Sequence, residues 1–120
     1  LEIQNENIGI YLHWNGGRNS VQAFLDVAKE YDVRTTEDYG IARLVQIIGN
    51  FFGGILSVGI GQIERMDTDN GDNGVYVIDK YFNIVERKFM RNTEQTTPSV
   101  EEMKGAIKEA NDKFFESTNL

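Results

Sequence analysis

The sequence predicts an α+β fold: a single antiparallel sheet of about four strands with three helices, in the order β-α-α-β-β-β-α. Two helical patterns follow one another early in the chain, and three extended segments follow one another later. Grouping of this kind, rather than strict alternation, favours α+β over a doubly wound sheet. The chain has 120 residues, 40% of them hydrophobic and 26% charged. That suits one modest core in one domain, residues 1–120, and is too apolar for a disordered chain.

Residues 1–7 show no period and are expected to be a flexible lead-in. From Ile8 to Trp14, Ile8, Ile10, Leu12 and Trp14 alternate with Gly9, Tyr11 and His13, the period of a strand. Asn15-Gly16-Gly17 then signals a turn. The first helix is placed from Ser20 to Tyr31, with Asn19 or Ser20 as cap. Val21, Phe24, Leu25 and Ala28 form its apolar stripe, and Gln22, Asp26, Lys29 and Glu30 its wet face. The second helix is placed from Glu37 to Phe52, started by Thr35 with Asp38, or by Thr36. Its apolar residues point nearly all round, so it is expected to be the central, buried hub. Gly53-Gly54 supplies the left-handed stop.

Ile55 to Ile63 alternates again, with Leu56, Val58 and Ile60 on one face and Ser57, Gly59 and Gly61 on the other. Met66 to Gly74 is a polar loop. Val75–Asp79 and Ile84–Met90 are short strands joined by a tight turn at Lys80–Asn83, so the last three strands should form a meander. Thr97 is expected to cap, and Pro98 to open, a last helix over 98–117, striped by Val100, Met103, Ile107, Ala110 and Phe114.

Composition excludes several chemistries. There is no cysteine, hence no disulfide and no thiolate site, and a single histidine rules out a multi-histidine metal centre. Twelve basic residues face nineteen acidic ones for a net charge of −7. That balance argues against a nucleic-acid partner. The most apolar window, 40–61, is broken by glycines and carries Arg43, so it reads as a buried helix running into a strand rather than a membrane span. No signal-peptide pattern is visible, and the expected location is cytoplasmic.

The stretches YLHWNGG (Tyr11–Gly17), ARLVQ (Ala42–Gln46), GNFFGG (Gly49–Gly54), LSVGIG (Leu56–Gly61) and DNGVYVID (Asp72–Asp79) resemble a group of small proteins of unknown function. These are carried by phages, prophages and mobile elements, mainly of Gram-positive bacteria. The resemblance spans about Ile8 to Phe89 and implies a mobile-element accessory protein. It implies no reaction. Asn15 stands where Asp is common in that group, which removes a carboxylate from the turn.

Three constellations are candidate sites. The first is the loop Asn15, Gly16, Gly17, Arg18, Asn19 and Ser20. A glycine turn from strand into helix aims free N–H groups at one point, and Arg18 adds a fork suited to phosphate. Tyr11 and His13 share one face of the preceding strand. The pattern is neither of the common nucleotide-loop motifs. A turn that needs glycine for positive φ explains it equally. The second is Arg43 with Asn50, a possible buried polar pair about two helical turns apart. The third is Asp67, Asp69 and Asp72, an oxygen-rich loop of the kind calcium uses. An EF-hand does not fit it. Counted from Asp67, positions six and twelve are Asp72 and Ile78; counted from Asp69, Gly74 fits but Lys80 replaces the glutamate.

No triad spacing or nucleophile–base pair is visible around His13. The sequence therefore points to a non-enzymatic accessory protein that binds another protein, with homo-oligomerisation open and no cofactor or resident metal expected. The alternative is a small phosphate- or nucleotide-binding protein using the loop at 15–20.

Overall fold

The computed structural model describes residues 1–37, 39–69, 73–90 and 94–118, with only the helical backbone over 115–118. The elements are β1 (Glu2–Ile3), β2 (Gly9–Leu12), α1 (Arg18–Glu30), α2 (Tyr39–Phe52), β3 (Val58–Gly61), a 3-10 turn (Ile63–Arg65), β4 (Val75–Ile78), β5 (Ile84–Lys88) and α3 (Val100–Thr118). The class is α+β with three helices, as expected. The sheet is five-stranded and mixed, ordered β3-β2-β1-β4-β5.

The extra strand comes from the segment expected to be flexible. Leu1 and Ile3 are buried, and Glu2 pairs antiparallel with Gly9 and parallel with Val77. Two residues are too few to show a period, yet they occupy the middle of the sheet. This changes the topology. The strand at Val58 pairs with β2 rather than with β4, so the last three strands do not form a meander. Only β4 and β5 make the expected hairpin. The chain leaves β3 at one edge and crosses the outer face of the sheet to reach β4. Gly9 leaves room for that crossing. A Cβ there would lie 2.5 Å from the Met66 sulfur and 2.8 Å from Ile63 Cδ1. The buried Val75 and Val77 form, beneath this connection, a small apolar layer separate from the main core.

The main core lies on the other face, where Ile3, Ile10, Tyr76 and Ile78 meet the helices. Its centre is α1, not α2. Besides the expected stripe, Ser20, Ala23 and Val27 are buried, so α1 is covered over more than half its circumference. Small residues at 20, 23 and 28 let neighbouring elements come close. Of α2, only Gly40, Leu44, Ile47 and Ile48 are buried. Tyr39 is 74% exposed, and Ala42, Arg43 and Gln46 face solvent. The even spread of apolar residues in its sequence does not separate a hub from a helix packed on one side. Phe51 and Phe52 pack on Phe24 with ring centroids 5.6 and 6.0 Å away, in edge-on and tilted geometry. Gly53 ends α2 at φ +70° as expected.

α3 runs alongside α1 in the same direction. Asn19 Nδ2 donates to the carbonyls of Thr96 and Pro98 at 2.7 and 3.3 Å, Glu30 meets Lys104 and Lys108, and the Tyr31 hydroxyl donates to Asp112. The cap of α3 is Ser99, whose Oγ accepts from the Glu102 N–H, rather than Thr97. Towards α2, the buried Asn111 donates to the carbonyls of Ile47 and Ile107 and accepts from Asn50.

The β4–β5 turn is held by Asp79. Its carboxylate accepts from the backbone N–H groups of Tyr81 and Asn83 and from the Asn83 amide. Partial burial alone would raise its pKa, but these bonds outweigh it and hold the carboxyl below the ordinary value of 3.8. The turn in turn drives Phe82 into the core.

Two outcomes follow. Phe24→Ala should lower stability by about 3–5 kcal/mol in urea denaturation, whereas Tyr39→Ala should change it by less than about 0.5 kcal/mol. Equal losses would remove α1 from the centre. The Asp79 contribution is present above its ordinary pKa and is lost as pH falls through the depressed folded value. Stability of the wild type should therefore fall more steeply below about pH 4 than that of Asp79→Asn, as followed by melting temperature against pH.

Candidate functional site

β2 and β4 flank β1, and a cleft of about 310 Å³ opens beside Leu1 between the two. Tyr11, His13, Trp14, Asn15 and Gly16 line it from β2 and its turn, and Asn73, Tyr76 and Gln95 from the other side.

The aromatic rim is built by the strand itself. Tyr11 and His13, two residues apart, lie on the outer face, and the Tyr11 hydroxyl is hydrogen-bonded to His13 Nδ1 at 2.8 Å. Trp14 follows just beyond the strand and meets the His13 ring edge-on at 4.6 Å. The alternation in the sequence groups it with Ile10 and Leu12. Instead the chain leaves the strand after Leu12, and the indole is 60% exposed.

The turn into α1 is explained by packing. The left-handed residue is Asn15 at φ 55°, not either glycine. Gly17, the N-cap of α1, has an ordinary φ of −71° and makes no side-chain cap. It must be small, because a Cβ would lie 2.6 Å from Gln95 Oε1 and 2.9 Å from Gln95 Cβ. Gly16 packs against Asn73, and its carbonyl accepts from the Tyr76 hydroxyl at 2.7 Å. The Arg87 guanidinium lies 4.3 Å from the Tyr76 ring centre and donates to the Asn73 carbonyl and to Glu94. Asn73, Tyr76 and Gln95 thus line the cleft, and Arg87 holds Asn73 and Tyr76 from behind. Sequence reasoning missed them because they come from three separate segments, Asn73 with Tyr76, Arg87, and Gln95. The available signal was Arg87, a lone arginine in an otherwise half-apolar strand.

The other loop residues do not converge. Arg18 Nη1 donates to Gln22 Oε1 at 2.7 Å along its own helix, Asn19 clasps the start of α3, and Ser20 is buried in the core. The expected cap by Asn19 or Ser20 is not made. Arg18 thus lies along its own helix, and Gln95 lies across Gly17.

Arg43 and Asn50 are not a buried pair. Arg43 is exposed with its guanidinium 5.4 Å from the Tyr39 ring centre, since α2 buries only one side. Asn50 is half-buried and belongs to an amide chain, accepting from Gln46 and donating to Asn111. Both residues line a second groove of about 410 Å³ between α2 and α3, beside Tyr31 and Phe114. Asp67 lies at the border of the first cleft, and Asp67 and Asp69 are exposed. Asp72 lies outside the described residues. Among those described, no three acidic or histidine side chains are grouped to hold a metal ion, and no helix is long and apolar enough to cross a membrane.

Chemically, the cleft presents amides, two phenols, an imidazole and an indole, with the Asp67 carboxylate at its border. The backbone at Asn15 gives a check. Asn15→Gly should hold or raise stability, while Asn15→Val should lower it by about 1–2 kcal/mol, because a β-branched side chain resists left-handed backbone. Urea midpoints of the two variants decide it.

No protein-family model, no curated protein and no solved structure matches this chain.

Proposed function

We propose that the chain is a non-enzymatic binding protein, an accessory of a phage or mobile element, that works in the cytoplasm by engaging another protein through the aromatic rim of the cleft. The observation that carries this reading is Trp14, a large indole left 60% exposed beside Tyr11 and His13. Exposed tryptophan and tyrosine are over-represented at the energetic centres of protein contacts, because they bring much apolar area with little loss of rotamer freedom. The imidazole beside it is hydrogen-bonded to the Tyr11 phenol and faces the indole, and among the described residues no carboxylate is hydrogen-bonded to it. The mobile-element setting rests on the resemblance of the YLHWNGG to DNGVYVID stretches.

Trp14 also supplies the test, since it is the chain's one tryptophan. The wild type and Trp14→Ala, both shown folded by circular dichroism, are immobilised and exposed to lysate of a host that carries the element. The wild type should retain a protein that Trp14→Ala binds at least 30-fold more weakly, a loss of about 2 kcal/mol. Adding the purified partner should shift Trp14 emission to shorter wavelength. Equal retention by the two chains, or no shift, overturns the reading.

A further inference from the structure

The two edges of the sheet are guarded very differently. β5 carries Glu86, Arg87 and Lys88, the charges by which edge strands resist pairing with another chain. β3, the opposite edge, reads Val58-Gly59-Ile60-Gly61. From Leu44 to Ile63 there is no Asp, Glu, Lys, Arg or His at all, in a chain of net charge −7.

Main-chain geometry shows which groups this edge offers. The Ser57 carbonyl accepts from the His13 N–H at 3.0 Å, so position 57 faces β2. Main-chain groups alternate sides along an antiparallel strand. Gly59 and Gly61 therefore also face β2, and the N–H and C=O groups of Val58 and Ile60 point away from the sheet. Among the described residues nothing pairs with them.

The side chains tell the same story. Leu56, Val58 and Ile60 alternate as a buried strand face should. Yet Leu56 is 88% and Ile60 59% exposed, and only four of the residues from Ile55 to Ile63 form a strand. The apolar pattern is longer than the surface this subunit provides to cover it.

We propose that a second copy of this chain pairs antiparallel with the free edge of β3 about a two-fold axis at Val58, joining the two sheets into one. Val58 then faces Val58 of the other copy, and Leu56 faces Ile60, twice over. All three keep to the helix-bearing face, because residues directly opposite one another in an antiparallel pair share a face. The pattern is self-complementary, as a two-fold interface requires. Charge selects the same occupant. Two copies of net charge −7 repel, and the uncharged edge is where they meet with least repulsion, whereas a basic partner attracted by the acidic body finds no carboxylate here. Leu56, Val58 and Ile60 share the helix-bearing face, whereas Tyr11 and His13, one strand in from this edge, lie on the other face.

Sedimentation equilibrium between about 1 µM and about 1 mM, with amide hydrogen exchange, tests the proposal. The mass should rise from 13.6 kDa towards twice that value. The amides of Val58 and Ile60 should exchange at least about 10-fold more slowly in the associated state. Ile60→Lys, at an exposed position, should stay at the single-chain mass with unchanged circular dichroism, while Val85→Lys on the β5 edge should still associate. A wild type that remains at 13.6 kDa throughout overturns the proposal. So does an assembly that survives Ile60→Lys, or one in which the Val58 and Ile60 amides stay fast. None of these readouts depends on the partner sought with Trp14→Ala, so either reading can fail alone.

Discussion

Burial of α1 is the constraint to which the rest of the molecule answers. A helix covered over more than half its circumference needs partners on several sides. The sheet covers one side with Ile3, Ile10, Tyr76 and Ile78, α2 brings Phe51 and Phe52 onto Phe24, and α3 runs alongside with its charged rim tied to Glu30. Burying a side chain such as Phe24 contributes about 1.5–3 kcal/mol, and each good aromatic pair adds about 0.5–1.5 kcal/mol. The exposed ion pairs at Glu30 contribute much less, because water screens them. Packing therefore sets where α3 lies, and the charges keep its register. The Glu30 carboxyl is held below its ordinary pKa chiefly by the hydrogen bond from Lys108.

The sheet is shaped by one long connection. Because the chain crosses the outer face from β3 to β4, β1 can sit between β2 and β4, and the hairpin is pushed to the far edge. The cleft lies beside Leu1, between β2 and β4. The aromatic rim stands at the end of β2, and Trp14 is exposed because the strand has ended by that point.

The turn before α1 shows how a motif can be structural in origin. Asn-Gly-Gly ahead of a helix has the composition of an anion loop. Here Asn15 takes the left-handed backbone, Gly16 lends its carbonyl to Tyr76, and Gly17 makes space for Gln95. Each residue has a packing partner, and Arg18 is held by its own helix through Gln22. The cation that would have defined a phosphate site therefore points elsewhere.

Local pattern in the sequence was enough to determine the class, the three helices, the β4–β5 hairpin, the glycine stop of α2 and the aromatic run of β2. Each of these is written in spacing, capping or turn chemistry within about ten residues. The place of Glu2–Ile3 in mid-sheet, the exchange of hub between α2 and α1, the exposure of Arg43 and the gathering of Asn73, Tyr76, Arg87 and Gln95 about the turn were decided only in three dimensions. They depend on contacts between residues far apart in the chain, and apolar periodicity reports that a face must be covered without saying by what. The stretch from Leu56 to Ile60 is the clearest case: its alternation reads as a covered face, and the fold covers Val58 in part while leaving Leu56 and Ile60 exposed.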